Sequence, residues 1–466
     1  MKNHLHLLAT ALILPFILPA CAVANVTLPQ IFSDHMVLQQ RSGITVWGWG
    51  KPLEEISVTT SWDNRTEKTV ADSESNWQVR VQTPAAGGPF TITIKGYNTI
   101  ELTDILIGEV WLCSGQSNME WTPAAGVEGG DEAIRTAGQP KIRLFTVNNR
   151  TASDPQIDLK GEWSVCTPET MKHFSAVGYF FARRLREEMD VPIGLINSSW
   201  GGTPIEVWMN AKVIADDPVL AQSAAKLKPV PWGPVKPGRA YNAMIAPLIP
   251  FRIAGALWYQ GEANTANGDT YAEMLNAMVT SWRREWGVDF PFFYVQIAPY
   301  EYGKPEEGVV VRDEQRQALS TPNTGMVVVS DIGNIKDIHP RNKIDVGIRL
   351  ANWALAKTYG KTGIPVSGPL FREAKTEGKK VRIYFDYAEN GLFAKGDGEV
   401  GLFELADEDG KFVPAEATIA GTTVVVKARG IRKPTAVRFA WSNTAEPNLV
   451  NKEGLPASCF RVDLKD

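Results

Sequence analysis

Gly108-Glu-Val-Trp-Leu-Cys-Ser-Gly-Gln-Ser-Asn-Met-Glu120 is the stretch on which the fold turns. It continues the apolar run Ile105–Ile107 and stops abruptly at Ser114-Gly115-Gln116-Ser117-Asn118. A buried strand that ends in small and polar residues places them where an open α/β sheet binds its ligands. Ser117 stands just past that edge, where the first N–H groups of a following helix face a developing negative charge. Taken alone, the stretch fits equally well a strand-to-helix turn in which Ser117 or Asn118 only caps the helix.

Working outward, strand and helix signals alternate. Apolar runs at Ile105–Leu112, Ile142–Val147, Pro192–Ile196, Ile253–Tyr259, Phe292–Ile297 and Met326–Val329 are separated by helical stretches. The clearest helices are Phe174–Met189, Tyr271–Trp286, Val309–Leu319 and Ile344–Tyr359. Short apolar strands between helices predict a parallel sheet covered on both faces. Before this, residues 25–103 alternate apolar and polar positions, as in Ile44-Thr-Val-Trp-Gly-Trp and Trp77-Gln-Val-Arg-Val, and predict a small β-sandwich. After it, residues 365–466 return to β pattern, with Val381-Arg-Ile-Tyr-Phe and Thr423–Lys427. The expected order is therefore a leader at 1–24, a β domain at 25–103, an α/β domain at 104–364 and a β domain at 365–466.

The leader carries Lys2, the apolar run Leu7–Leu18 and the small-x-small site Ala22-Val23-Ala24 before Asn25, the pattern of a signal peptide. Export to a periplasmic or extracellular location is expected, with lipid attachment at Cys21 as an alternative to cleavage after Ala24. No later hydrophobic segment is long enough to span a membrane. A formal net charge of −4 without a basic block argues against nucleic acid and anionic membranes as partners. Fifteen Trp residues suit packing on sugar rings, although core and interface packing must account for most of them. Cleavage after Ala24 leaves Cys113, Cys166 and Cys459, an odd number with no CxxC. Free buried thiols are expected, though one disulfide is compatible with export, and no His is spaced for a metal.

Three further stretches end strands of the middle domain. Leu195-Ile-Asn-Ser-Ser-Trp-Gly-Gly-Thr-Pro204 sets Gly201-Gly202 where the backbone can approach a ligand and offer N–H groups, although a plain tight turn explains them too. Leu257-Trp-Tyr-Gln-Gly-Glu-Ala-Asn264 clusters Gln260, Glu262 and Asn264. Asp331-Ile-Gly-Asn-Ile-Lys-Asp-Ile-His-Pro340 follows the last strand. Of five histidines, His4 and His6 lie in the leader, His35 in the first β domain and His173 at a helix start, so only His339 falls at the sheet edge. A nucleophilic serine needs an imidazole base, and the base a carboxylate that fixes its tautomer. Residues two apart in extended backbone point to one side, about 6.5–7 Å apart, so Asp337 can reach the His339 ring.

Together these blocks resemble the SGNH hydrolases, and within them the sialate O-acetylesterase family. The resemblance rests on Gly115-Gln-Ser-Asn-Met119, Gly201-Gly202, Gln260-Gly-Glu-Ala-Asn264 and Asp337-Ile-His339, and extends to Gln30–Gln39, Phe174–Ala182 and Asn451–Ser458. It implies an SGNH-like α/β sheet flanked by helices, with added β domains. It also implies a cofactor-free serine esterase acting on an O-acetylated sugar: Ser117 as nucleophile, His339 as base and Asp337 behind it. The oxyanion would be held by N–H groups of Ser117 and of Gly201 or Gly202, with Gln260 or Asn264. Gln116, Glu262, Arg312 and Gln315 would lie near the sugar, although a charged helix face explains Arg312 as well. The chain departs from the general pattern in spacing Asp and His two apart rather than three, which leaves Asp331 or a backbone carbonyl as alternatives to Asp337. It has Gln260 where the pattern has Asn, and the roughly forty residues between Trp208 and Leu248 leave no room for the extra β domain of longer members. An acetyl xylan esterase and a non-catalytic carbohydrate-binding protein are the rival readings.

Overall fold

The quoted stretch is the second half of one long strand. The computed structural model describes residues 25–396 and 398–464, so the expected signal segment and Cys21 lie outside the described residues. In chain order the strands that matter here are β1 (Val37–Gln39), β2 (Gly43–Trp49), β3 (Glu55–Thr60), β4 (Thr66–Val70), β5 (Asn76–Gln82), β6 (Gly87–Lys95) and β7 (Thr99–Gly115). They continue with β8 (Gln139–Thr146), β9 (Trp163–Cys166), β10 (Ile193–Ser199), β11 (Gly255–Tyr259), β12 (Phe292–Val295) and β13 (Thr324–Val327).

β7 is 17 residues long and belongs to both domains. It pairs with β6 and β1 in the N-terminal β domain and, further on, with β10 and β11. The boundary expected at 103/104 therefore falls inside a strand. The change in sequence pattern there has a physical cause: residues 99–104 are mostly exposed or half-buried, whereas every residue from Ile105 to Gly115 is buried. The pattern marks where the strand becomes covered on both faces, not where the chain breaks.

The central sheet has the order β13-β12-β11-β7-β10-β8-β9. All its pairs are parallel except β8–β9, which is antiparallel at the edge. β7 sits where the chain's later strands depart to either side, the position at which such sheets open a crevice at their C-terminal ends. One face is covered by the helix Tyr271–Trp286, whose Trp282 meets Trp258 of β11 edge-on at 6.1 Å. That helix stops at Gly287, which takes the left-handed conformation (φ 65°) that ends many helices. The other face is covered by the helices Ala176–Glu188 and Ile344–Trp353, with Phe181 against Trp111 at 5.0 Å and Trp353 stacked on Phe293 at 5.9 Å.

The C-terminal strands form a separate antiparallel sheet around Val381, Ile383, Phe385, Phe403, Phe439 and Phe460. This domain braces the α/β domain: Gln296 donates to the Ser458 hydroxyl at 2.8 Å, and Gly308 N–H to Asn443 at 2.9 Å. Cys113, Cys166 and Cys459 are free and buried, and burial pushes each thiol up. Among the described residues no helix is long and apolar enough to cross a membrane.

Candidate active site

β7 closes on Gly115, whose φ is 135° and where a Cβ would sit 2.2 Å from the Tyr259 carbonyl oxygen of β11. Glycine lets the two strands approach at the point where the chain turns into the short helix Ser117–Glu120. Gln116 is the N-cap residue and makes no side-chain cap bond, and Ser117 takes the first helical position. The capping explanation of Ser117 and Asn118 therefore fails.

Ser117 Oγ lies 2.9 Å from His339 Nε2, across 222 residues of sequence. The imidazole stacks on Trp121, with centroids 4.8 Å apart and planes 15° from parallel. Burial lowers the His339 pKa from its ordinary 6.5, the Lys343 charge lowers it further, and Asp337 opposes both. The ring is thus held neutral near pH 7, as a proton acceptor must be. Asp337 Oδ1 accepts the backbone N–H of His339 at 2.9 Å and stands 3.7 Å from Nδ1. Asp331 is engaged by Arg349 through two bonds of 2.7 Å, so it does not orient His339.

The glycine block meets the serine block. A Cβ on Gly201 would lie 3.4 Å from Ser117 Cβ, and Gly202 has φ 71°. The Gly201 N–H donates to Glu120 Oε2 at 2.7 Å, so a carboxylate occupies the expected oxyanion donor.

The expected side-chain donors are placed otherwise. Gln260 is fully buried, with Nε2 near Gln116 Oε1 (3.1 Å), the Thr203 carbonyl (3.1 Å) and Asn264 Oδ1 (2.8 Å). Asn264 Nδ2 donates to Glu206 at 2.9 Å and Asn267 at 3.1 Å. Neither amide faces the serine with a donor to give. Two sugar contacts are corrected likewise. Gln315 is buried between the Gln260 and Val295 carbonyls and the Ile297 N–H, and Arg312 is buried with its guanidinium on the Ser442 carbonyl. Gln116 accepts from Gln260 and from the Ala263 N–H. Sequence shows that polar residues are adjacent; it does not show which way they point.

Other residues escaped the sequence reading. Asn118 Nδ2 donates to Glu262 Oε1 at 2.6 Å and to the Ile338 carbonyl at 3.1 Å, while its Oδ1 accepts from Lys343 Nζ. One carboxamide therefore ties the serine helix to the Glu262 loop and to the residue before His339. Glu262 is raised by burial; Lys343, equally buried, is pushed down to about 7, with Glu262 and Asp337 opposing. Nothing in a lone lysine before an apolar helix signals burial.

Beside Gly202 opens a cleft of about 430 Å³ lined by Thr151, Trp200, Trp232, Lys236 and Arg239 among others. Trp232 is 61% exposed and lies against the glycine turn, where a Gly202 Cβ would sit 2.4 Å from its indole nitrogen. Among the described residues no three His, Cys, Asp or Glu side chains converge to hold a metal ion.

Comparison with known proteins gives a consistent set of relatives. The family model described as carbohydrate esterase, sialic acid-specific acetylesterase, matches residues 107–356. Sialate O-acetylesterase of Homo sapiens is 31% identical, covering 93% of this chain and 91% of its own. The enzyme of the same name from Rattus norvegicus is 30% identical over 88% of each chain. The crystal structure of a carbohydrate acetylesterase from Xanthomonas citri is 39% identical with a TM-score of 0.86, covering 94% of this chain and 100% of that one.

Proposed function

The chain belongs to the sialic acid-specific acetylesterase family of carbohydrate esterases, and from that premise we propose that it removes O-acetyl groups from sugars through an acyl-enzyme on Ser117. The observation that carries this reading is the 2.9 Å contact between Ser117 Oγ and a His339 held neutral by its surroundings. His339 Nε2 takes the hydroxyl proton as Ser117 Oγ bonds to the acetyl carbon. The tetrahedral oxyanion is met by the Ser117 N–H and the Gly201–Gly202 turn once the ester displaces Glu120 from the Gly201 N–H. The C–O bond to the sugar then breaks, and the leaving oxygen takes the proton back from His339. Water repeats the sequence and releases acetate.

Asp337, 3.7 Å from Nδ1, steadies the imidazolium that forms. The cleft beside Gly202 receives the sugar. Lys236 and Arg239 favour a carboxylate-bearing sugar, and Trp232 offers a flat apolar face to its ring. This favours a sialate ester; an acetylated plant polysaccharide such as xylan is the second reading, supported by the 39% identity to a carbohydrate acetylesterase. Export through the expected signal segment, with Cys21 as an alternative lipid site, belongs to the same proposal.

Acetate release from p-nitrophenyl acetate, O-acetylated sialic acid and acetylated xylan, by the enzyme and by Ser117→Ala, tests this. Turnover of the sialic acid ester that vanishes in the variant is the expected result. Ser117-dependent turnover of xylan alone would keep the mechanism and change the substrate. Turnover of none of the three, or turnover unaffected by the substitution, would overturn the serine esterase reading.

A further inference from the structure

A second cleft, of about 560 Å³, lies where the N-terminal β domain meets the α/β domain. Its floor is the two-stranded ribbon of β2 and β5, which pairs Trp47 with Gln78, Gly48 with Trp77 and Trp49 with Asn76. Alternation along the ribbon buries Ile44, Val46, Trp77 and Val79. The same alternation leaves Trp47 and Trp49 half-buried, with Asn76 and Gln78 exposed, on the other face. Large apolar residues grouped on an outward face mark a surface that meets something. Trp47 is held in place edge-on against Phe32 at 4.5 Å. From the α/β domain Gln156, Ile157 and Pro247 complete the walls, with Ile157 70% exposed.

The lining selects the ligand. No cation lines this cleft, and its one carboxylate, Asp72, accepts the backbone N–H groups of Glu74 and Asn76 in its own turn. An anion would find no counter-charge. A wholly apolar ligand would strand the carboxamides of Asn76 and Gln78 and the oxygen of Gln156, whose Nε2 donates to the Asp154 carbonyl. A sugar ring satisfies both requirements, with a flat C–H face for an indole and hydroxyls for carboxamides. The volume lies in the ordinary range of ligand sites.

The geometry points to an accessory subsite for a neutral glycan segment, with Trp49 and Trp47 as its platform and Gln78, Asn76 and Gln156 as its hydrogen-bonding groups. One segment links it to the cleft beside Gly202: Thr151 lines that cleft and Gln156 lines this one. Five residues of extended chain span at most about 18 Å, so these two walls stand no further apart than that, a span that one oligosaccharide can bridge. The acylated sugar would sit at Ser117 and the neutral chain that bears it on the ribbon. This rests on the reading of the substrate as a sugar ester, and the test separates the two.

Titration calorimetry of Ser117→Ala with neutral hexasaccharides of xylose, glucose and mannose, and with acetylated xylan, measures binding without turnover. The same titrations follow with Trp49→Ala or Gln78→Ala added. Each of these two is also made in the otherwise native enzyme and assayed on p-nitrophenyl acetate. At least one glycan should bind, Trp49→Ala should weaken it about tenfold and Gln78→Ala less, with p-nitrophenyl acetate turnover kept. Gln78 is exposed, so its variant remains informative if Trp49→Ala folds poorly. Absence of binding by every glycan, or binding unchanged in both variants, overturns the subsite. Absence of Ser117-dependent ester turnover overturns the esterase reading and leaves glycan binding to be judged on its own.

Discussion

Two polar clusters share the C-terminal edge of the parallel sheet, and they are built in opposite ways. Behind the edge Gln260, Asn264, Asn267, Glu206 and Gln315 are buried and bonded to one another or to the backbone. In front Ser117 and His339 hold a single short contact, and the His339 side chain keeps 28% of its surface open. A cluster with every bond made resists change and fixes the shape of its loop. A cluster with a neutral imidazole and a hydroxyl in one contact has bonding capacity left for a ligand. Both come from the same motif-rich strand ends, so hydrogen-bond saturation, not residue type, separates scaffold from chemistry.

The sharpest break in this comparison is Ser117→Ala. Acetate release should fall by about 10⁴-fold or more while the denaturation midpoint stays near that of the parent, because a small exposed-side hydroxyl is lost and no buried group is orphaned. Asn264→Ala should do the reverse. It strips a partner from buried Glu206 and should lower stability by about 1–3 kcal/mol in a urea titration, with the folded fraction retaining its turnover. Equal catalytic losses in the two variants would erase the distinction.

Asp337→Asn sharpens the front cluster. Asparagine keeps an oxygen for the His339 N–H but removes the charge, which lies 3.7 Å from Nδ1 and is 44% exposed. The expected loss in kcat/KM is about tenfold, short of the roughly 10⁴ that a tightly bonded triad carboxylate contributes. The smallest effect is on pH dependence. His339 must be neutral to act, and burial with the Lys343 charge holds its pKa below 6.5, so the acid limb of kcat/KM should lie below pH 6.5. Lys343→Met removes a positive charge, makes protonation of His339 easier and should move that limb upward by less than about one pH unit. Asp337 stays in place, while Glu262, already raised by burial, loses the Lys343 charge that held it down and is pushed further up. A limb that moves down would contradict the assigned cause.

Much of this was legible in advance, for identifiable reasons. The helix expected at Tyr271–Trp286 spans those residues in the structure, because its apolar stripe and Gly287 are local signals. The contact between Ser117 and His339 was legible because only one histidine of the expected mature chain reaches the sheet edge. Asn118, Glu120 and Lys343 were not, because each acts through a residue at least 80 positions away in sequence, Glu120 on Gly201 being the nearest. Arg312 and Gln315 turned elsewhere for the same reason: a polar residue on a helix near the site has the same spelling whether it faces the cleft, the C-terminal domain as Arg312 does, or the strand ends as Gln315 does.

The sequence by itself determined the layered α/β plan, the flanking β domains, the family and the pairing of Ser117 with His339. Periodicity and strand-end chemistry are properties of short stretches, and those survive without coordinates. Only the tertiary structure decided that β7 runs through both domains, that Glu120 sits on the Gly201 N–H, and that Gln260 and Asn264 belong to the wall. Those facts concern direction and saturation across packed elements, which no local pattern encodes.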